Sequence, residues 1–162
     1  MPRLDLTITD GVLTDEGKQE LLRDLGATLL RAEGAPNTEF FRSITWAHLH
    51  ELPAEAIQTP DGEAEPHAII DVSVPEGALN DERKARLVEE ATRVVLDATE
   101  WGDDAGVRVW TLIRDVPEGN WGAAGQIVHF EQLRAAAKAE REQEGSGRAK
   151  VPAAESGDQV PA

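Results

Sequence analysis

The chain is written twice. Sliding the sequence along itself by 66 residues lays Asp10-Gly11-Val12-Leu13-Thr14-Asp15-Glu16-Gly17-Lys18 on Glu76-Gly77-Ala78-Leu79-Asn80-Asp81-Glu82-Arg83-Lys84 without a gap. The same shift pairs Asp5 with Asp71 and Arg42 with Arg108, and brings Thr28 within two positions of Thr92. Chance can match one loop, but hardly a loop and a distant arginine together. A chain built this way folds as two copies of one supersecondary unit sharing a core.

Each copy reads as strand, helix, strand. Leu4, Leu6 and Ile8 alternate with polar residues, as do Ile70, Val72 and Val74, which is the period of a half-buried strand. Thr14 and Asn80 are N-caps, each followed by two acids that suit the positive end of a helix dipole. Leu21, Leu22, Leu25, Leu29 and Ala32 form one apolar stripe, repeated by Leu87, Val88, Ala91, Val94, Val95 and Ala98. Gly34-Ala35-Pro36 ends the first helix and Gly102 to Gly106 follows the second. The returning strands are predicted at Phe40–Ala47 and Val107–Ile113.

The predicted fold class is therefore α/β: two tandem β-α-β units forming a four-stranded mixed sheet with two helices on one face. The opposite face would leave Phe40, Ile44, Trp46, Val109 and Leu112 in water, and oligomerisation is the simplest cover. The expected boundaries are a first unit at 2–51, a connecting loop at 52–66 rich in Pro, Glu and Ala, and a second unit at 67–133. Residues 134–162 are read as the rest of a short helix, from about His129 to Glu142, then a disordered tail from Gly145.

Composition removes whole classes of function. The formal charge of -15 argues against nucleic acid, whose phosphates need clustered Lys and Arg. No apolar run approaches the ~18 residues that cross a bilayer, and no signal-peptide pattern is present, so the expected location is the cytoplasm. Zero cysteine excludes thiolate chemistry and sulfur-based zinc sites. His48-x-His50 has strand spacing, with both rings on one face, yet no third ligand stands in a recognisable motif; no metal site is expected.

Pro2 follows Met1 directly and opens the first strand. Removal of Met1 would leave a free secondary amine, a group that no other residue can supply. The second copy has Ala68 at that place, so one chain offers one such amine.

An N-terminal proline on a first strand, a doubled strand-helix-strand unit, Val107-Arg108-Val109, the Ala35-Pro36-Asn37-Thr38 turn and Asn120-Trp121-Gly122-Ala123-Ala124-Gly125 together resemble the tautomerase superfamily. Within it the chain is similar to 4-oxalocrotonate tautomerase in two fused copies, over residues 2–133. The resemblance implies the MIF-like fold, no cofactor, Pro2 as catalytic base, and a homotrimer with active sites near subunit boundaries. It implies Arg108, and equally Arg42, as the arginine that binds a substrate carboxylate or carbonyl oxygen, and Trp121 as a pocket wall. The family's loop arginine is absent, since Val12 and Ala78 stand there, and the dehalogenase pair is absent at Pro75 and Ala78.

Keto-enol exchange needs one group to move a proton at carbon and another to stabilise the enolate oxygen. Pro2 and an arginine supply these, so the expected activity is tautomerisation of a small 2-oxo acid or enol. Asp115 would be the carboxyl of a hydratase or decarboxylase variant, or else a solvated strand end beside Arg114. A non-catalytic oligomeric binding protein on the same scaffold is the third reading.

Overall fold

The structure is a computed structural model and describes residues 2–62 and 65–148. Its main sheet contains β1 (Arg3–Thr9), β2 (Trp46–Leu52), β3 (Ala68–Pro75) and β4 (Val109–Val116) in the order β2-β1-β3-β4. Helix α1 (Asp15–Glu33) links β1 to its parallel neighbour β2, and α3 (Asp81–Thr99) links β3 to its parallel neighbour β4. The two units meet along an antiparallel seam between β1 and β3, where Asp5 lies opposite Asp71. Each aspartate is thus paired with its own counterpart in the repeat, so a pseudo-two-fold axis crosses the seam there.

The helices start where their caps allow. Thr14 accepts from the backbone N–H of Gly17 at 3.1 Å and Asn80 from that of Arg83 at 2.9 Å, each satisfying a donor the helix cannot. At the other end Gly34 turns at φ 67° and donates its N–H to the Arg31 carbonyl. The sheet side chains that alternate inward, Leu4, Leu6, Ile8, Ile70, Val72 and Val74, meet Leu21, Leu25 and Leu29 of α1 and Leu87, Ala91 and Val95 of α3. Burying each leucine, isoleucine or valine contributes ~1.5–3 kcal/mol, which fixes both helices to the same sheet face.

The first returning strand departs from expectation. Phe40–Ala47 was the predicted span, but Glu39–Ser43 forms a short helix, α2, capped by Thr38, and the strand begins only at Trp46. The cap dipeptide Asn37-Thr38 and the acid at Glu39 favour a helical turn here. The fourth strand also starts later, at Val109 after a 3-10 turn over Asp103–Arg108.

Register then changes the repeat. Arg3 pairs with Trp46 and its counterpart Ile69 pairs with Trp110, so the second strands of the two units correspond at a shift of 64, Trp46 to Trp110. Arg42 and Arg108 are therefore not structural counterparts: Arg42 sits on α2 and Arg108 ends a 3-10 turn.

On the helix-free face, Trp46, Trp110, Leu52 and Leu112 are exposed. Of the other residues expected there, Phe40 lies on α2, Ile44 packs beside Leu30 and Phe41, and Val109 is buried in the main core. After β4 the chain makes a small hairpin, β5 (Gly122–Ala123) with β6 (Gln126–Ile127), through Ala124 and Gly125 at φ 51° and 75°. Positive φ at both central residues is what a tight two-residue hairpin turn of this kind demands.

The last helix, α4 (Phe130–Arg148), is longer than the short helix expected and continues through Gly145. The rest of the expected tail, from residue 149, lies outside the described residues. Helix α4 folds back over the end of α1: Ala137 packs with Leu30 and Phe41, and Arg141 donates to the Gly34 carbonyl.

Candidate active site at the proline end of the sheet

Strand directions gather one set of residues at the start of β1. Pro2 is buried there, and its carbonyl accepts from the Trp46 N–H at 3.2 Å. Since β2 is parallel to β1 and β3 is antiparallel, this end also holds the start of β2, the end of β3, the end of α1 and the beginning of α3. A cavity of about 880 Å³ opens at this end. Phe41, just before β2, and Gly77 and Ala78, just after β3, form parts of its wall, and α4 roofs it with Phe130. Pro2 heads the strand between those two loops.

The cavity carries charge of both signs. Glu33, in the last turn of α1, lines it, and burial pushes its carboxyl up to about 7 against the opposing pull of Arg83. Among the described residues its carboxylate has no hydrogen bond or ion pair. Arg83 stands opposite on α3, donating to the backbone carbonyls of Glu33 at 3.1 Å and Ala78 at 3.2 Å. Arg134, Lys138 and Arg141 enter from α4. A cluster of four cations is conspicuous in a chain of net charge -15.

The residues singled out in the sequence fall into two groups. Pro2 and Asp115 lie at this end, the latter because Val74 pairs with it, but Asp115 is held by Lys84 at 2.5 Å and not by Arg114. Arg114 instead pairs with Asp71 at 2.6 Å. Trp121 follows β4 out of the same end, half-buried, its carbonyl accepting from the Val128 N–H at 2.8 Å. Arg42 is next to the wall residue Phe41, with its guanidinium donating to the carbonyl and side-chain oxygens of Asn37 at 2.8 and 3.2 Å.

Arg108 is at the far end. It precedes Val109, which pairs with Ala68, and Ala68 pairs with Ile8 at the close of β1. At ~3.3 Å per residue, the length of β1 separates it from Pro2 within one chain. There it donates to the Pro66 carbonyl at 3.3 Å, approaches Glu65 at 3.6 Å and lies over the Trp101 ring at 5.1 Å. His48 and His50 do share a face, and both rings meet Asp5 Oδ1, at 3.1 and 3.2 Å. Among the described residues no three His, Asp or Glu side chains are arranged to hold a metal.

Sequence reasoning passed over Glu33 and Arg83. One signal was available: Leu21, Leu25, Leu29 and Glu33 follow one another at intervals of four along α1, so the carboxylate ends the core stripe and does not belong to the wet face.

Residues 69–131 match a family model described as tautomerase enzyme. That match covers the second β-α-β unit of the chain. A search of the curated proteins gives no match. Among solved structures, the tautomerase fold is shared with a member of the cis-3-chloroacrylic acid dehalogenase family, at TM-score 0.68 and 20% identity over 90% of this chain and 99% of that one. A fused 4-OT described as a symmetric trimer matches at TM-score 0.65 and 24% identity, covering 84% of this chain and 98% of that one. Pt0534 inactivated by 2-oxo-3-pentynoate matches at TM-score 0.67 and 23% identity, over 83% and 98%. At these identities the likeness to solved structures concerns the fold alone.

Proposed function

We propose that this chain is a cofactor-independent keto-enol tautomerase in which the free amine of Pro2 moves the proton at carbon of a small 2-oxo acid or enol. The observation that carries the reading is the position of Pro2: buried at the head of a central strand, between the two loops that wall a charged cavity. A proline nitrogen at the chain terminus is a base fixed by its own ring, and burial favours its neutral form.

The enolate oxygen or a substrate carboxylate needs a cation that cannot be neutralised, and a planar guanidinium offers two parallel hydrogen bonds. Arg42 is adjacent to the cavity wall in the same chain. Arg108 serves a Pro2 only across a subunit boundary, which accords with a homotrimer like the one the fused 4-OT is described as forming. The exposed tryptophans of the open sheet face supply apolar surface for that assembly. Trp121 becomes a wall of the completed pocket, and Asp115 a charge held beside it by Lys84.

The test combines intact mass with kinetics. The purified protein is expected to lack Met1, and ketonisation of phenylenolpyruvate is expected to fall by ~10²–10⁴-fold in Pro2→Ala. Retained Met1, or equal rates in the two proteins, sinks the reading.

A further inference from the structure

The cations of this chain divide by what answers their charge. Arg3, Arg31, Lys84, Arg93, Arg108 and Arg114 each meet an aspartate or glutamate carboxylate, as expected where acids outnumber bases 31 to 16. Among the described residues Arg83, Arg134 and Arg141 meet no carboxylate, and all three line the cavity beneath α4. Lys138, on the same lining, has only Glu142 at 3.9 Å. Arg42, answered by Asn37, stands beside the wall residue Phe41.

Two of these guanidiniums meet at one turn. Arg83 reaches it from α3, its Nη1 donating to the Glu33 carbonyl at 3.1 Å and its Nη2 lying 3.1 Å from where a side chain on Gly34 would begin. Arg141 reaches the Gly34 carbonyl from α4. The negative end of the α1 dipole favours a cation there, but it amounts to only about half a charge. Each guanidinium also has five N–H donors, more than these carbonyls occupy. Arg134 and Lys138 precede Arg141 at helical spacing on one face of α4, and among the described residues neither donates to a backbone carbonyl. The acids on the lining are Glu131, which is exposed, and Glu33, whose carboxyl burial raises to about 7, so near neutrality Glu33 carries less than a full charge.

We propose that this cavity is a binding site for a small phosphate monoester with an aromatic or apolar body, the phosphate received by Arg83, Arg134, Lys138 and Arg141 and the body by Phe41 and Phe130. A carboxylate has two oxygens, which one arginine fork fills. A phosphate monoester carries about -1.5 to -2 charges and three strong acceptor oxygens at neutral pH, and so matches several cations at once. The volume of about 880 Å³ falls in the range of roughly 300–1,000 Å³ that holds organic ligands and far exceeds what a bare ion fills. The site stands on the cavity's own residues and is independent of the role given to Pro2.

Isothermal titration of the full-length protein with phenyl phosphate, at constant ionic strength, tests this without any turnover. Saturable binding at one site per chain is expected, weakened ~10-fold by Arg134→Gln and by Lys138→Gln, each of which removes one charge-assisted contact. Both side chains are exposed, and circular dichroism equal to wild type certifies the fold of the variants. Arg23, exposed on α1, pairs with Glu20 at 3.6 Å and is not on the lining; Arg23→Gln is expected to keep wild-type affinity and so reports attraction by net charge alone. Inorganic phosphate is expected to bind ~10-fold more weakly, because it leaves the apolar wall uncovered. Absence of saturable binding, unchanged affinity in Arg134→Gln and Lys138→Gln, or an equal loss in Arg23→Gln overturns the site. Phenylmalonate, which sets two carboxylates beside the same ring, overturns the choice of phosphate if it binds as tightly as phenyl phosphate, and inorganic phosphate binding as tightly overturns the apolar body.

Discussion

Trp46 and Trp110 are structural twins. Each indole donates its Nε1–H to the carbonyl three residues earlier, Ser43 at 3.2 Å and Val107 at 3.1 Å, and each is 62% exposed. One sits on the edge strand beside β1 and the other on the edge strand beside β3, so they mark two corners of the helix-free face. With the indole N–H already satisfied internally, each ring offers its apolar face outward.

That arrangement predicts a role in assembly. Trp46→Asp and Trp110→Asp are each expected to shift the protein toward monomer in analytical ultracentrifugation while leaving the circular dichroism spectrum intact, because a carboxylate placed in an apolar interface loses its hydration. If the proposed assembly forms as stably in both variants as in wild type, the open face is not its contact surface.

The helix ends predict a pair of opposite effects. A side chain at Gly34 would force a left-handed residue and bring its Cβ to 3.1 Å from the Arg83 guanidinium; Gly34→Ala is expected to destabilise by ~1–2 kcal/mol. Its counterpart Glu100 already holds φ 57°, so Glu100→Gly is expected to stabilise by ~0.5–1 kcal/mol. Urea midpoints at one protein concentration read both.

Much of this was legible in the residues, because local signals agreed with tertiary demands. Thr14 and Asn80 fix the helix starts, and the alternation in Leu4–Ile8 and Ile70–Val74 fixes the inner strands. The failure came where a short helix competed with a strand: Phe40-Phe41-Arg42 has apolar bulk suited to either, and the Thr38 cap decided for helix. That turn breaks the constant shift of the repeat and led Arg42 to be matched with Arg108. Glu33 carries a local sign, its place in the stripe with Leu21, Leu25 and Leu29, but the cover that α4 lends it by returning over α1 has no local trace.

Asp5 predicts the acid limb of stability. Burial works against its charge, but hydrogen bonds to His48 and His50 and the nearby Arg3 outweigh it and lower its pKa. A carboxyl depressed on folding stabilises above its unfolded value and loses that stabilisation as pH falls through the folded one. Asp5→Asn is expected to be less stable than wild type at pH 7, with the difference closing below pH ~4; melting curves across that range decide it.

Glu33 predicts the opposite slope. With its carboxyl raised from 4.5 to about 7, the folded chain holds more protons than the unfolded one between those values, so this group's contribution to stability declines as pH rises through that window. Glu33→Gln is expected to flatten the decline and to melt higher than wild type at pH 8, with little difference at pH 4. A parallel pair of melting profiles would count against a raised carboxyl.

The seam at Asp5 and Asp71 is what two half-length chains would form as a symmetric dimer, with the segment after Leu52 serving only to tether them. In a true homodimer every substitution appears twice, and both ends of the sheet must carry the same chemistry. Joining the halves lifts that constraint: Pro2 and Glu33 can persist at one end while Ala68 and Thr99 fill the other with ordinary packing. Covalent fusion here acts as a means of breaking symmetry, letting each pole carry its own set of side chains, Glu33 and Arg83 at one and Arg108 with Glu65 at the other.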